Sequence, residues 1–155
     1  MKLSVPNRVV NLFLLVSMIG VIDSAYLTYS HLVGGDAGCF LVEGCDLVLT
    51  SPYSEVFGIP VALFGLLFYT GIFFGFLFYN FKRGERLLKL LSYSTALGLL
   101  ASIWFVYLQM FVIKAYCTYC LLSAITSTIL FILGVYVLRS GPKDVVVRED
   151  LTPSV

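Results

Sequence analysis

From Phe57 to Asn80 the chain runs for 24 residues without a single charged side chain. About 20 apolar residues wound as an α-helix cross the roughly 30 Å hydrocarbon layer of a bilayer, so this run alone restricts the chain to folds that meet lipid. Three further apolar runs match it, at 8–31, 87–111 and 116–138. All are too long and too evenly apolar to be β-barrel spans, which alternate over about 10 residues. Of the 155 residues 59% are hydrophobic and 12% charged, against about 25% charged in an ordinary soluble domain. So short a chain cannot turn that much apolar surface inward. The expectation is an all-α integral membrane four-helix bundle in residues 1–140, with spans at about 57–80 and the three other runs. The polar tail 141–155 is expected to be cytoplasmic and disordered.

Lys2 and Arg8 ahead of an apolar stretch also resemble a secretory signal. The run is longer than a usual h-region, contains Asp23 and lacks a small-x-small site near its end, so it reads as a retained span. Nine of the ten basic residues then fall on one side of the bundle: Lys2, Arg8, Lys82, Arg83, Arg86, Lys89, Arg139, Lys143 and Arg148. Lys114 alone falls on the other. Excess Lys and Arg marks the cytoplasmic side, which places both termini in the cytoplasm and the loop 32–56 and the turn near 112–115 outside a cell (inner or plasma) membrane. In that loop Gly34, Gly35, Gly38 and Gly44 favour turns. Asp46 can open a short surface helix through Leu47, Val48 and Leu49, ended by Ser51 and Pro52.

All four cysteines map to the outer side: Cys39 and Cys45 in the loop, Cys117 and Cys120 as Cys-Thr-Tyr-Cys opening the last span. An oxidising compartment permits disulfides. A Cys-x-x-Cys pair at a helix start suits reversible oxidation, because unpaired N–H groups and the helix dipole stabilise a thiolate there. Cys120, in the first turn, is the expected beneficiary. Two structural staples and a tetrahedral zinc site are the alternatives. Spacing and compartment favour redox exchange, since an apolar bundle needs no metal to supply a core. Two pairs make sense as a relay, one exchanging with a soluble protein and one passing two electrons to a lipid-soluble quinone held between helices.

Asp23 within the first span is expected to face inward or to snorkel near the outer end, and to hydrogen-bond another helix in preference to moving protons. His31 reads as an interfacial residue. Gly71 and Gly75 carry the small-x-x-x-small spacing of close helix packing, within the bundle or in a dimer.

Cys39-x5-Cys45, Ser51 six residues later, Phe57-Gly58-Ile59-Pro60 leading into a span, and Cys117-x-x-Cys120 opening the last one resemble, in combination, the vitamin K epoxide reductase family. The likeness is strongest to microbial DsbB-like members, which also share a segment similar to Asp23-Ser-Ala-Tyr-Leu-Thr-Tyr29, and it covers about residues 8–138. The resemblance implies a four-helix bundle around a quinone (ubiquinone or menaquinone) that oxidises a DsbA-like thioredoxin-fold electron donor, so supporting disulfide formation. It implies that Cys120 faces the quinone, that Cys117 exchanges with Cys39, that Cys45 meets the partner protein, and that Ser51 organises the loop. Members with an appended thioredoxin-like domain carry their own donor; here the donor is expected to be a separate protein. Vertebrate enzymes hold the quinone with an Asn and a Tyr where this chain has Val61 and Ala124, so vitamin K epoxide reduction is not expected. The competing class is a small transporter or structural membrane protein with stapling disulfides.

Overall fold

Long apolar helices need only punctuation to end them, and the chain supplies it with Pro, Gly and left-handed residues. The computed structural model describes residues 5–34 and 45–139. Helix α1 (Asn7–Val33) starts behind Pro6 and stops at Gly34, whose φ of 64° bends the chain away. Helix α3 (Val61–Lys82) follows Pro60 and ends at Arg83, also left-handed, whose N–H donates to the Tyr79 carbonyl at 2.7 Å. Helix α4 (Glu85–Tyr107) opens on Glu85, a favourable charge at a helix start, which pairs with Lys89 at 2.7 Å. It runs on as a π-helical segment, Leu108–Ile113. Helix α5 is Thr118–Arg139. The four long helices are each long and apolar enough to cross a membrane, so the all-α bundle expected from the sequence is what the chain forms.

Two details differ from the sequence reading. The second span begins at Val61, not Phe57. Residues 55–60 instead form a small antiparallel hairpin, β1 (Glu55–Val56) with β2 (Ile59–Pro60). Its turn residues, Phe57 at φ 56° and Gly58 at φ 75°, have the two positive φ values of a type I′ turn. The short helix α2 (Cys45–Leu49) starts one residue before Asp46.

Helix α1 is the central post, packed along α3 and α5, while α4 leans on α5 and touches α3 only lightly. Phe13 and Phe76 stack with ring centroids 3.9 Å apart in the core beside Tyr79, Leu88 and Leu130. Small residues permit these approaches: a Cβ at Gly20 would collide with the Tyr69 ring, and one at Gly75 with Leu91. At one end Arg83 donates to the Val5 carbonyl at 3.1 Å and to Asn7 Oδ1, tying the α3–α4 turn to the start of α1. At the other end α2, the hairpin and the turn before α5 gather over the bundle.

Candidate functional site

Helix α2 turns Cys45 and Val48, three residues apart, to its buried side and leaves Leu47 outside. The buried side meets Leu27 of α1 together with Ala115 and Cys117, with Cys120 partly buried at the edge of the same cluster. The structure thus brings Cys45 together with Cys117 and Cys120. Cys45 is disulfide-bonded, whereas Cys117 and Cys120 are free thiols. Cys39 and the role expected of it lie outside the described residues, as does the tail 141–155. The resemblance gave Cys45 the outward position; here it is 2% exposed.

Lys114, at φ 55°, ends the π-helical segment, and four residues later the chain starts α5 at Thr118. The Cys117 carbonyl accepts the Leu121 N–H at 3.0 Å, and the Cys117 sulfur accepts the Cys120 N–H at 3.3 Å. Cys117 is therefore the residue that caps the helix, and the free N–H groups of the first turn serve its sulfur. The sequence reading had assigned that benefit to Cys120; position within the turn decides otherwise. The Cys117 thiol is held below its ordinary pKa by a hydrogen bond from the Cys120 side chain, opposed by burial and aided by the N–H groups of Cys120 and Tyr119. Its own N–H donates to Gln109 Oε1 at 3.1 Å. Gln109 sits in the π-helical segment, a form that recurs at functional sites, and sequence reasoning missed it. Its only sequence signal is that it is a lone amide in an apolar run.

Ser51 closes α2. Its Oγ donates to the Val48 carbonyl at 2.8 Å and its own carbonyl accepts the Ser54 N–H at 2.9 Å. Beneath this lid lies a cavity of about 360 Å³ between α1, α3, α4 and α5, within the range of small-molecule sites. Cys120, Ser51 and Gln109 reach its wall, as do Phe64 and Phe68. Val61 and Ala124 line it too. A polar strip runs beside the apolar part of the lining. The Tyr69 hydroxyl donates to the Ser123 carbonyl at 2.7 Å and lies 3.0 Å from Thr126 Oγ1, and Ser127, also on the wall, has a buried Oγ without a hydrogen-bond partner among the described residues.

His31 Nε2 lies 2.9 Å from Glu55 Oε1, joining the end of α1 to the hairpin at the surface. Asp23 faces inward as expected, but the hydrogen bond to another helix is absent: among the described residues neither carboxylate oxygen has a partner.

A family model described as "Vitamin K epoxide reductase family" matches residues 11–135. The chain belongs to the vitamin K epoxide reductase family. It is also 33% identical over 138 residues to a protein named thiol-disulfide oxidoreductase LTO1 from Arabidopsis thaliana. That match covers 83% of this chain and 35% of the relative, so the chain spans about a third of the relative's length. The matched region contains all four long helices in whole or large part and all four cysteines.

Proposed function

We propose that this chain is a membrane thiol:quinone oxidoreductase that reoxidises a DsbA-like, thioredoxin-fold partner and so supports disulfide formation. The carrying observation is the burial of disulfide-bonded Cys45 and free Cys117 in one cluster, with Cys120 on the wall of the cavity. The partner's thiolate attacks the loop disulfide Cys39–Cys45, and thiol–disulfide exchange carries two electrons to the Cys117–Cys120 pair. In each exchange one thiolate attacks and another leaves. Cys117, whose thiol is held below its ordinary pKa by the Cys120 side chain and N–H, is the fitting sulfur for the exchange with the loop. Cys120, at the cavity, is the one facing the acceptor. A ubiquinone or menaquinone head supplies an acceptor for two electrons and two protons. The residues fit such a head: Phe64 and Phe68 offer ring faces, and the unpartnered Ser127 hydroxyl offers a hydrogen bond. Val61 and Ala124 offer neither bond, in keeping with a reaction other than epoxide reduction. We place the cysteine end outside a cell membrane and both termini in the cytoplasm, on the strength of the basic residues at the opposite end.

A bundle stapled by two structural disulfides would hold no free thiols at Cys117 and Cys120, which weighs against that reading. The test mixes purified protein, a reduced thioredoxin-fold oxidase and a short-tailed soluble quinone. Quinone bleaching is expected with the wild type and its loss in Cys117→Ala and Cys120→Ala; equal rates in all three would overturn the proposal.

A further inference from the structure

Asp23 is a carboxylic acid inside an apolar bundle. Among the described residues both its oxygens are buried and unpartnered, and neither of the ion pairs there involves it. Its neighbour Ser24 donates to the Gly20 carbonyl at 2.6 Å, and so does not serve Asp23. An ionised carboxylate left alone in such surroundings is costly, so its persistence at this place calls for a role.

The place is specific. On α1, Gly20 lies one turn before Asp23 and packs against Tyr69. Leu27 lies one turn after it, in the cluster with Cys45 and Cys117. Tyr26 follows three residues on, its ring centroid 5.0 Å from that of Tyr119. Residues three and four apart share a helix face. Asp23 therefore stands between the thiol cluster and the hydroxyl strip of Tyr69, Ser123 and Thr126. It acts electrostatically on Tyr69 of α3, on Cys117 ahead of α5, and on Tyr119 and Cys120 of α5. None of these is a cation, and His31, two turns along α1, faces Glu55.

We propose that Asp23 is the proton-holding residue of the Cys117–Cys120 pair, protonated while the pair is reduced and ionised once it is a disulfide. The inference rests on the thiol chemistry proposed above. Cys117 is placed to be an anion, taking the Cys120 N–H and the Cys120 thiol. Two anions in one low-dielectric pocket without a cation disfavour each other, so a Cys117 thiolate keeps the proton on Asp23. Closing the disulfide removes the sulfur's negative charge and lets the carboxyl ionise. The balance is Cys117–S⁻ plus Cys120–SH plus Asp23–COOH going to the Cys117–Cys120 disulfide plus Asp23–COO⁻, two protons and two electrons. The electrons and protons leave to a quinone, or to any two-electron, two-proton disulfide. Asp23 touches no electron; it keeps the transfer neutral inside the membrane.

The test omits quinone and partner. Full-length protein is equilibrated with reduced and oxidised dithiothreitol at several pH values around neutrality, and the state of Cys117 and Cys120 is counted by alkylation and peptide mass spectrometry. Dithiothreitol delivers two protons with its two electrons. Wild type takes up both, so its equilibrium constant is expected to be flat with pH. Asp23→Asn takes up one, so the constant for reducing the pair rises about tenfold per pH unit. Asp23→Glu restores the flat profile. A sloping wild type, or an Asp23→Asn variant as flat as wild type, overturns the proposal. Should Asp23→Asn not fold, the infrared difference between reduced and oxidised wild type decides: a protonated-carboxyl stretch gained on reduction supports it and its absence overturns it. Failure here leaves the quinone reading standing, and failure of the bleaching assay leaves this proton count standing.

Discussion

Cys117 owes its character to three groups a few atoms away: the Cys120 N–H at 3.3 Å, the Cys120 thiol, and the Gln109 amide that fixes its backbone. Because its pKa is depressed, the thiolate persists as pH falls below the ordinary thiol value of about 8.5, and protonates only lower. Thiolate ultraviolet absorbance followed against pH should show a transition below that value which Cys117→Ser removes. Cys120→Ala, which deletes the largest stabilising contact, should move it upward. Gln109→Leu leaves a buried N–H without an acceptor, a loss of about 1–3 kcal/mol, read as lowered thermal stability in detergent; Gln109→Glu, which keeps an acceptor, should lose less. The cysteines themselves were legible in the sequence because Cys-x-x-Cys at a helix start carries its chemistry in its spacing. Gln109 was not, because it serves Cys117 across a turn whose shape depends on a left-handed Lys114. Asp23 was legible as inward-facing from the cost of charge in lipid, but whether it had a partner depended on the packing of three helices.

Among the elements, the glycines separate what a spacing rule can and cannot say. Gly71 and Gly75 form one motif, yet a Cβ at Gly71 meets nothing while one at Gly75 strikes Leu91 of α4. Gly75→Ala should therefore destabilise by about 1–3 kcal/mol through overpacking. Gly71→Ala should be neutral or slightly stabilising, since Ala is the better helix former; thermal unfolding of the two variants side by side checks this. The four spans were readable because length and apolarity suffice for them. The hairpin before α3 was not, because its turn places Phe57, a bulky residue that ordinarily avoids positive φ, where a Gly or Asn would have announced it.

For the molecule as a whole, the ends are chemically unlike. Arg83 binds the start of α1 at one end, and Cys45, Cys117 and Ser51 crowd the other. Orientation is checked with a membrane-impermeant maleimide on intact cells in which Gly84→Cys or Tyr53→Cys supplies the target. Tyr53→Cys should label from outside and Gly84→Cys only after the membrane is opened. The opposite pattern would invert the proposed topology.

The cavity belongs to this scale too, since all four long helices line it. At about 360 Å³ it has room for a ring-sized head but not for a long isoprenoid chain, which must stay among the lipids. An acceptor held in that way is drawn from a two-dimensional pool. Turnover in cells would then follow the mole fraction of oxidised quinone in the bilayer and the sideways diffusion that renews it. Selection among quinones would rest on the head group, with tail length free to drift with the host's lipid metabolism.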